Sequence, residues 1–243
     1  METFQEFKNA ANPEKSTGAI ISHAFETYKG VFLYALLAMG IYMVASWLIQ
    51  TFSGFDSQTF VEEIRDSGGD YSSIKVWDTP GINTYYGLSG LLRVLLSPLY
   101  VGVLFVAHKY NVKQKIQASD LFIGYRQNFI NILIYGVISS IILTISFVMC
   151  FLPGVLVMPL LLLGYPILLF ENASFGEALS KSFSIAKENY GVMLGTSLLG
   201  ILISVSGFVL CFVGILLTAL FFVVVMYSAY CAFAGTPRQI MSN

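Results

Sequence analysis

Arg93 is the residue whose setting most invites a chemical reading, because it is a lone charge in an otherwise apolar run, Leu88–His108. Ionisable groups inside a membrane are functional candidates by default. Arg93 lies about six residues from one end of that run, close enough for its long side chain to snorkel to the headgroups. A structural pairing and a ligand or lipid site are the other two readings, and snorkelling is preferred. The two histidines, His23 and His108, are far apart and have no metal-ligand spacing with cysteine or carboxylate. Cys150, Cys211 and Cys231 fall in or at the ends of apolar runs, where free cysteine behaves as a small buried hydrophobe. Cys150 and Cys211 occupy equivalent places, but the free thiols are preferred over a disulfide. There is no phosphate-binding glycine loop and no Gly-x-Ser-x-Gly elbow. Membrane enzymes generally gather carboxylates, histidines or an activated nucleophile, and no such constellation is visible. Catalytic, metal and cofactor sites are therefore expected to be absent.

The elements that must position these residues are membrane helices. Of the 243 residues, 56% are hydrophobic and only 11% charged, with a mean hydropathy of +0.73. An ordinary soluble domain has about 25% charged residues, so a soluble enzyme and a disordered chain are excluded. A net charge of −1 gives no basic footprint for nucleic acid. Apolar runs of about 20 residues read as transmembrane helices. Six are present, at 31–51, 88–108, 129–151, 153–170, 191–212 and 214–234. They are unbroken, whereas barrel strands would be short and alternating. Residues 1–243 thus read as one all-α polytopic membrane domain. No cleavable signal peptide is expected, because about 30 largely polar residues precede the first run.

Basic residues set the orientation. Lys8, Lys15, Lys29, Lys109, Lys113, Lys115, Arg126, Lys181, Lys187 and Arg238 all fall on one side of the six-span arrangement. Both termini, including segment 1–30, are expected to be cytoplasmic in a bacterial inner membrane. Loop 52–87 should face outward. It is acidic, with Asp56, Glu62, Glu63, Asp66, Asp70 and Asp78 against Arg65 and Lys75. Phe60, Val61 and Ile64 beside Glu62, Glu63 and Arg65 predict a short amphipathic helix there. Ser67–Asp70 reads as a turn, and Trp77, Tyr85 and Tyr86 suit the outer interface. The carboxylates lack the spacing of a calcium loop, and a solvated acidic lid is the preferred reading over a partner surface.

A pattern of aromatic, tyrosine, base and aromatic recurs before the first, third and fifth spans. It reads Phe25, Tyr28, Lys29, Phe32, then Phe122, Tyr125, Arg126, Phe129, then Phe183, Ala186, Lys187, Tyr190, where Ala186 replaces the tyrosine. A shift of 61 residues takes Phe147, Val148, Cys150 and Phe151 onto Phe208, Val209, Cys211 and Phe212. Pro98 and Pro159 are 61 apart as well, and the first copy is longer by about the size of loop 52–87. The chain therefore reads as three tandem, parallel units, each an amphipathic helix followed by a two-helix hairpin. Ile20, Ile21, Ala24, Phe25 and Tyr28 share helical spacing in the first such helix. Ser174 and Glu177 form a capping box at the start of the third. These helices suit the headgroup region, with apolar faces down. Anchoring and topology are their preferred role. Recognition of anionic lipid headgroups, or docking of an unidentified membrane protein partner, is the sharper one, and Lys29, Arg93, Arg126 and Lys187 are the candidate contacts.

Gly136, Ser140 and Thr144, and then Gly191, Gly195, Thr196, Gly200 and Ser204, form small-residue stripes that favour close packing. They predict spans three and five as inner helices. Pro98, Pro159 and Pro166 predict kinks in spans two and four.

Glu171-Asn172-Ala173-Ser174-Phe175-Gly176-Glu177-Ala178-Leu179-Ser180-Lys181-Ser182-Phe183, a glycine-rich hairpin, and Tyr227 with Tyr230 make a larger pattern. It resembles a broad group of uncharacterised six-span bacterial inner-membrane proteins, similar to the membrane domain fused to some glycerophosphoryl diester phosphodiesterases. The resemblance is best over Ser119–Ala234. It implies a fold and no activity, since the soluble catalytic barrel has no counterpart here. Three two-span repeats also occur in mitochondrial carriers, but the Pro-x-acid-x-x-base signature of their odd spans is missing. The expected function is a non-enzymatic scaffold, lipid-interacting protein or accessory subunit. The alternatives are a small transporter or channel with a path between the hairpins and, less favoured, a membrane enzyme. A polar, water-accessible centre would favour transport, and a dry packed centre the scaffold.

Overall fold

The computed structural model describes residues 12–66, 78–149, 151–210 and 213–237. Lys8, the turn at 67–70, Lys75, Trp77, Cys150, Cys211, Phe212 and Arg238 lie outside the described residues. The described chain is helical, without strands. It divides into two compact units, Met1–Met39 with Ser97–Asn243, and Gly40–Leu96.

The elements are α1 Thr17–Ser53, α2 Ser57–Asp66, α3 Ile82–Leu95, α4 Ser97–Asn111, a 3-10 helix Ala118–Phe122, α5 Ile123–Arg126 and α6 Phe129–Met149. They continue as α7 Phe151–Leu161, α8 Gly164–Phe170, α9 Phe175–Glu188, α10 Tyr190–Ser206, a 3-10 helix Gly207–Leu210, α11 Val213–Thr218 and α12 Phe221–Ala234. Thr17–Ser53, Ile82–Asn111, Phe129–Met149 and Leu152–Phe170 are each long and apolar enough to cross a membrane. The pair α9 and α10, bent by 105° at Asn189, raises the number to five if counted as one span. Phe221–Ala234 is apolar but has only 14 residues. The chain is thus an all-helical membrane protein.

The first element differs from its expected form. The first amphipathic segment is continuous with the first span, because nothing between Tyr28 and Val31 caps or breaks the helix. Its inward face runs without interruption through Ile20, Ala24, Thr27, Tyr28, Val31, Ala35 and Ala38, at helical spacing. At about 1.5 Å per residue the 37-residue helix is ~55 Å long. A hydrocarbon core is ~30 Å thick, so roughly 17 residues extend beyond it.

In the larger unit, α4, α8 and α12 pack on one another in all three pairings. Most of their residues are buried. α6 packs on α4, α7 and α8, and α10 on α7, α11 and α12. The expected layering is therefore inverted. The apolar stretch is 61% buried in Ile82–Asn111 and 56% in Leu152–Phe170, but 22% in Phe129–Met149 and 11% in Thr17–Ser53. The small-residue stripes are contact faces of outer helices: Gly136 meets Ser97 and Tyr165, and Gly200 meets Phe222 and Val225. Thr144 is exposed.

Each of the three inner helices begins at a break on a buried leucine in the bridge region of backbone space. The torsions (φ, ψ) are −91°, −2° at Leu96, −92°, −2° at Leu163 and −89°, 0° at Leu220. Pro98 and Pro166 sit in the first turn after a break, where no donor is lost. Pro159 is the one inside a helix. The break at Leu220 has no proline beside it.

Within the smaller unit, Gly81 (φ 77°) turns the chain into α3, and any Cβ there would overlap the Ser53–Phe55 backbone. Phe55 stacks on Tyr85 at 5.0 Å. The expected amphipathic helix of loop 52–87 is α2.

Candidate functional site

Three rings meet where the inner helices converge: His108 from the last turn of α4, Phe170 from the end of α8 and Tyr227 from the middle of α12. The centroids are 5.3 Å apart for His108–Phe170, 6.1 Å for His108–Tyr227 and 5.9 Å for Phe170–Tyr227. All three residues are buried. Aromatic pairs at such separations and tilts are favourable beyond the area they bury. One ring from each inner helix closes the centre of the unit.

The polar edges of these rings are matched to partners, as buried polar groups must be. Asn111 Nδ2 donates to the Tyr227 hydroxyl at 3.0 Å, and His108 Nδ1 lies 3.4 Å from the same oxygen. One residue on, the Ser228 hydroxyl is 2.9 Å from His23 Nδ1 of α1. One turn further, Tyr230 packs on Phe170 at 5.3 Å and donates to Glu171 Oε1 at 3.0 Å. Lys181 on α9 binds both oxygens of Glu171, at 2.7 and 2.6 Å. Cys231 is buried one turn beyond Tyr227. The result is a layer of polar bonds around a ring-packed plug.

The two histidines, distant in sequence, therefore both face α12. His23 and Tyr227 ring centroids are 6.3 Å apart. Asn111, Phe170, Glu171 and Ser228 carried no signal as single residues. A usable signal was positional: in or just after the apolar run of each inner helix, a ring and a polar group lie within four residues of each other. Among the described residues no group of three His, Cys, Asp or Glu is placed to hold a metal. Asp120, Glu26 and Glu177 are held by structural partners. Asp120 binds Lys109 at 2.7 Å and the Gln117 amide at 2.7 Å, and Glu26 binds Lys29 at 2.7 Å. Glu177 accepts from the Ser174 amide and hydroxyl, both at 2.8 Å, which hold its carboxyl below the usual range. Burial pushes the Tyr125 phenol up.

The helix breaks are also occupied by protein groups. At Leu163, the Ser182 hydroxyl of α9 accepts from the backbone N–H at 3.2 Å and donates to the Leu160 carbonyl at 2.7 Å. Tyr135 donates to the Leu161 carbonyl at 2.6 Å. At Leu220, the Ser204 hydroxyl accepts from the Phe222 N–H at 3.1 Å, and Tyr28 donates to the Leu217 carbonyl at 2.7 Å. A membrane core supplies no water to such groups, so side chains from neighbouring helices must satisfy them. Ser182→Ala orphans the buried Leu163 donor, at ~1–3 kcal/mol, and removes one bond from the part-buried Leu160 carbonyl. It is expected to lower the melting temperature in detergent and to speed hydrogen exchange at the Leu163 amide.

The four candidate contact residues are all exposed. Lys29 pairs with Glu26, three residues earlier. Arg126 ends α5, and Lys187 lies in the last turn of α9. Arg93 is in the last turn of α3, in the smaller unit. A shallow recess of about 400 Å³ in that unit is lined by Trp47, Gln50, Thr51, Gly54, Phe55 and Asp56.

The fold and its centre define a helical membrane protein whose innermost helices are plugged by side chains. No protein-family model, curated protein or solved structure matches the chain.

Proposed function

We propose that this protein is a non-enzymatic multi-span membrane scaffold, a lipid-interacting protein or accessory subunit that conducts nothing through its core. The observation that carries this reading is the plug of His108, Phe170 and Tyr227 at the meeting of α4, α8 and α12. A transporter built on broken helices leaves unwound backbone free to bind its substrate. Here Ser182, Tyr135, Ser204 and Tyr28 occupy the backbone groups at two of the three breaks. That favours scaffold over channel or transporter.

The reading includes six spans in three tandem units. α11 and α12 together make the sixth, interrupted at Leu220 as the second is at Leu96 and the fourth at Leu163. The near-identical torsions at those leucines support the repeat. Both termini are then cytoplasmic in a bacterial inner membrane, loop 52–87 is extracytoplasmic, and kinship with the six-span bacterial group is part of the same proposal. The distribution of basic residues supports the orientation.

Purification at native abundance in mild detergent tests the function. A lipid or protein companion retained in fixed ratio through two columns is the expected result. A chain that retains neither overturns the scaffold reading. Thiol labelling of Gln58→Cys only from outside, and of Ser119→Cys only from the cytoplasm, is expected, and the reverse would overturn the orientation.

A further inference from the structure

The three copies of the aromatic–base pattern share one exposure pattern. Phe25, Phe122 and Phe183 are 42%, 41% and 48% exposed. Three residues later the chain turns inward, with Tyr28 and Ala186 buried and Tyr125 half-buried. The next residue, Lys29, Arg126 or Lys187, is exposed, and the closing aromatic, Phe32, Phe129 or Tyr190, is half-buried. On α1 and α9 the exposed aromatic and the base are four apart, so they stand on the same face, one turn from each other. Packing accounts for this only in part. Phe25 rests on Phe221 at 4.6 Å and Phe122 on Tyr125 at 6.1 Å, yet both stay exposed, and the same two outward types recur three times.

An exposed aromatic beside an exposed base fits one environment, the boundary between hydrocarbon and phosphate. The 105° bend between α9 and α10 lays α9 across the direction of its span, as an interfacial helix requires. Cytoplasmic leaflets carry anionic lipid, and each base near such a surface strengthens binding about fivefold.

We propose that these three aromatic–base pairs are binding sites for the phosphates of anionic phospholipids. This deepens the scaffold reading above and rests on it. The three sites are unequal. Arg126 makes no ion pair among the described residues and offers a planar fork that meets a phosphate through two parallel bonds. Lys187 is a point charge next to Glu188. Lys29 is engaged by Glu26 at 2.7 Å, so the lipid must compete with an internal carboxylate.

The test titrates the full chain in mild detergent with fluorescent phosphatidylglycerol, with phosphatidylcholine and inorganic phosphate as competitors. Wild type should bind phosphatidylglycerol, and neither competitor should displace it. Arg126→Gln should weaken binding about fivefold and Lys187→Gln by less. Glu26→Gln should strengthen it by up to fivefold, a gain that a misfolded protein would not show. Wild-type affinity unchanged by all three substitutions, or displaced by phosphate alone, overturns the proposal. In that case a retained protein or lipid companion leaves the scaffold reading standing, and the loss of any companion sinks that reading separately.

Discussion

Tyr227→Ala should destabilise the protein by about 3–5 kcal/mol, the range for removing a buried aromatic side chain. Tyr227 is fully buried where all three inner helices meet. Its ring contacts His108, Phe170 and His23. Truncation opens a cavity that no single inner helix can move to fill without leaving the other two. Tyr227→Phe keeps the ring and removes the oxygen that Asn111 and His108 face, at ~1–3 kcal/mol. Thermal unfolding of the detergent-purified variants should therefore rank wild type, phenylalanine, alanine in falling order. Equal melting temperatures for wild type and alanine would show that the rings do not hold the centre.

The second large effect is expected at Gly102. A Cβ at this position of α4 would overlap the backbone of Leu121 in the 3-10 helix, and one at Gly124 of α5 would overlap the backbone of Pro98. Two glycines, one on each side, thus let the Ala118–Arg126 segment lie directly on α4. Backbone cannot yield as a flexible side chain does. Gly102→Val should exceed the ~1–3 kcal/mol usual for overpacking, and most of the protein should aggregate on extraction. Gly18, with nothing within 4 Å, is the control, and Gly18→Ala should not destabilise the protein. Recovery of monodisperse Gly102→Val at wild-type yield would contradict this packing.

Both effects lie where hydropathy is silent. The apolar runs located the four helical stretches long enough to cross a membrane, and the spacing of Ser174 and Glu177 marked the start of α9, where the capping box forms. These signals are local. Inner and outer helices were not separable, because a lipid-facing Leu and a core Leu satisfy the same composition. Gly136 and Gly200 marked contact faces correctly, and the inference from contact face to inner helix failed because an outer helix also has one. The break at Leu220 has no proline or glycine beside it and depends on Ser204, sixteen residues away. The plug was the least legible part. His108, Phe170 and Tyr227 are separated by about 60 residues each, and only the hairpin topology brings them together. Aromatic–base pairs were visible as a motif, but their common exposure required the structure.

The central claim is that no water-filled path runs between the inner helices, and native Cys231, buried one turn from Tyr227, reports on it directly. In a Cys150→Ser, Cys211→Ser background, intact membranes are treated with a membrane-impermeant maleimide from each side. Cys231 should stay unlabelled until detergent denaturation exposes it, while Ser119→Cys in the same background labels within minutes from the cytoplasm. Labelling of Cys231 in the folded protein at a rate comparable to the Ser119→Cys control would reveal water at the centre and contradict the account.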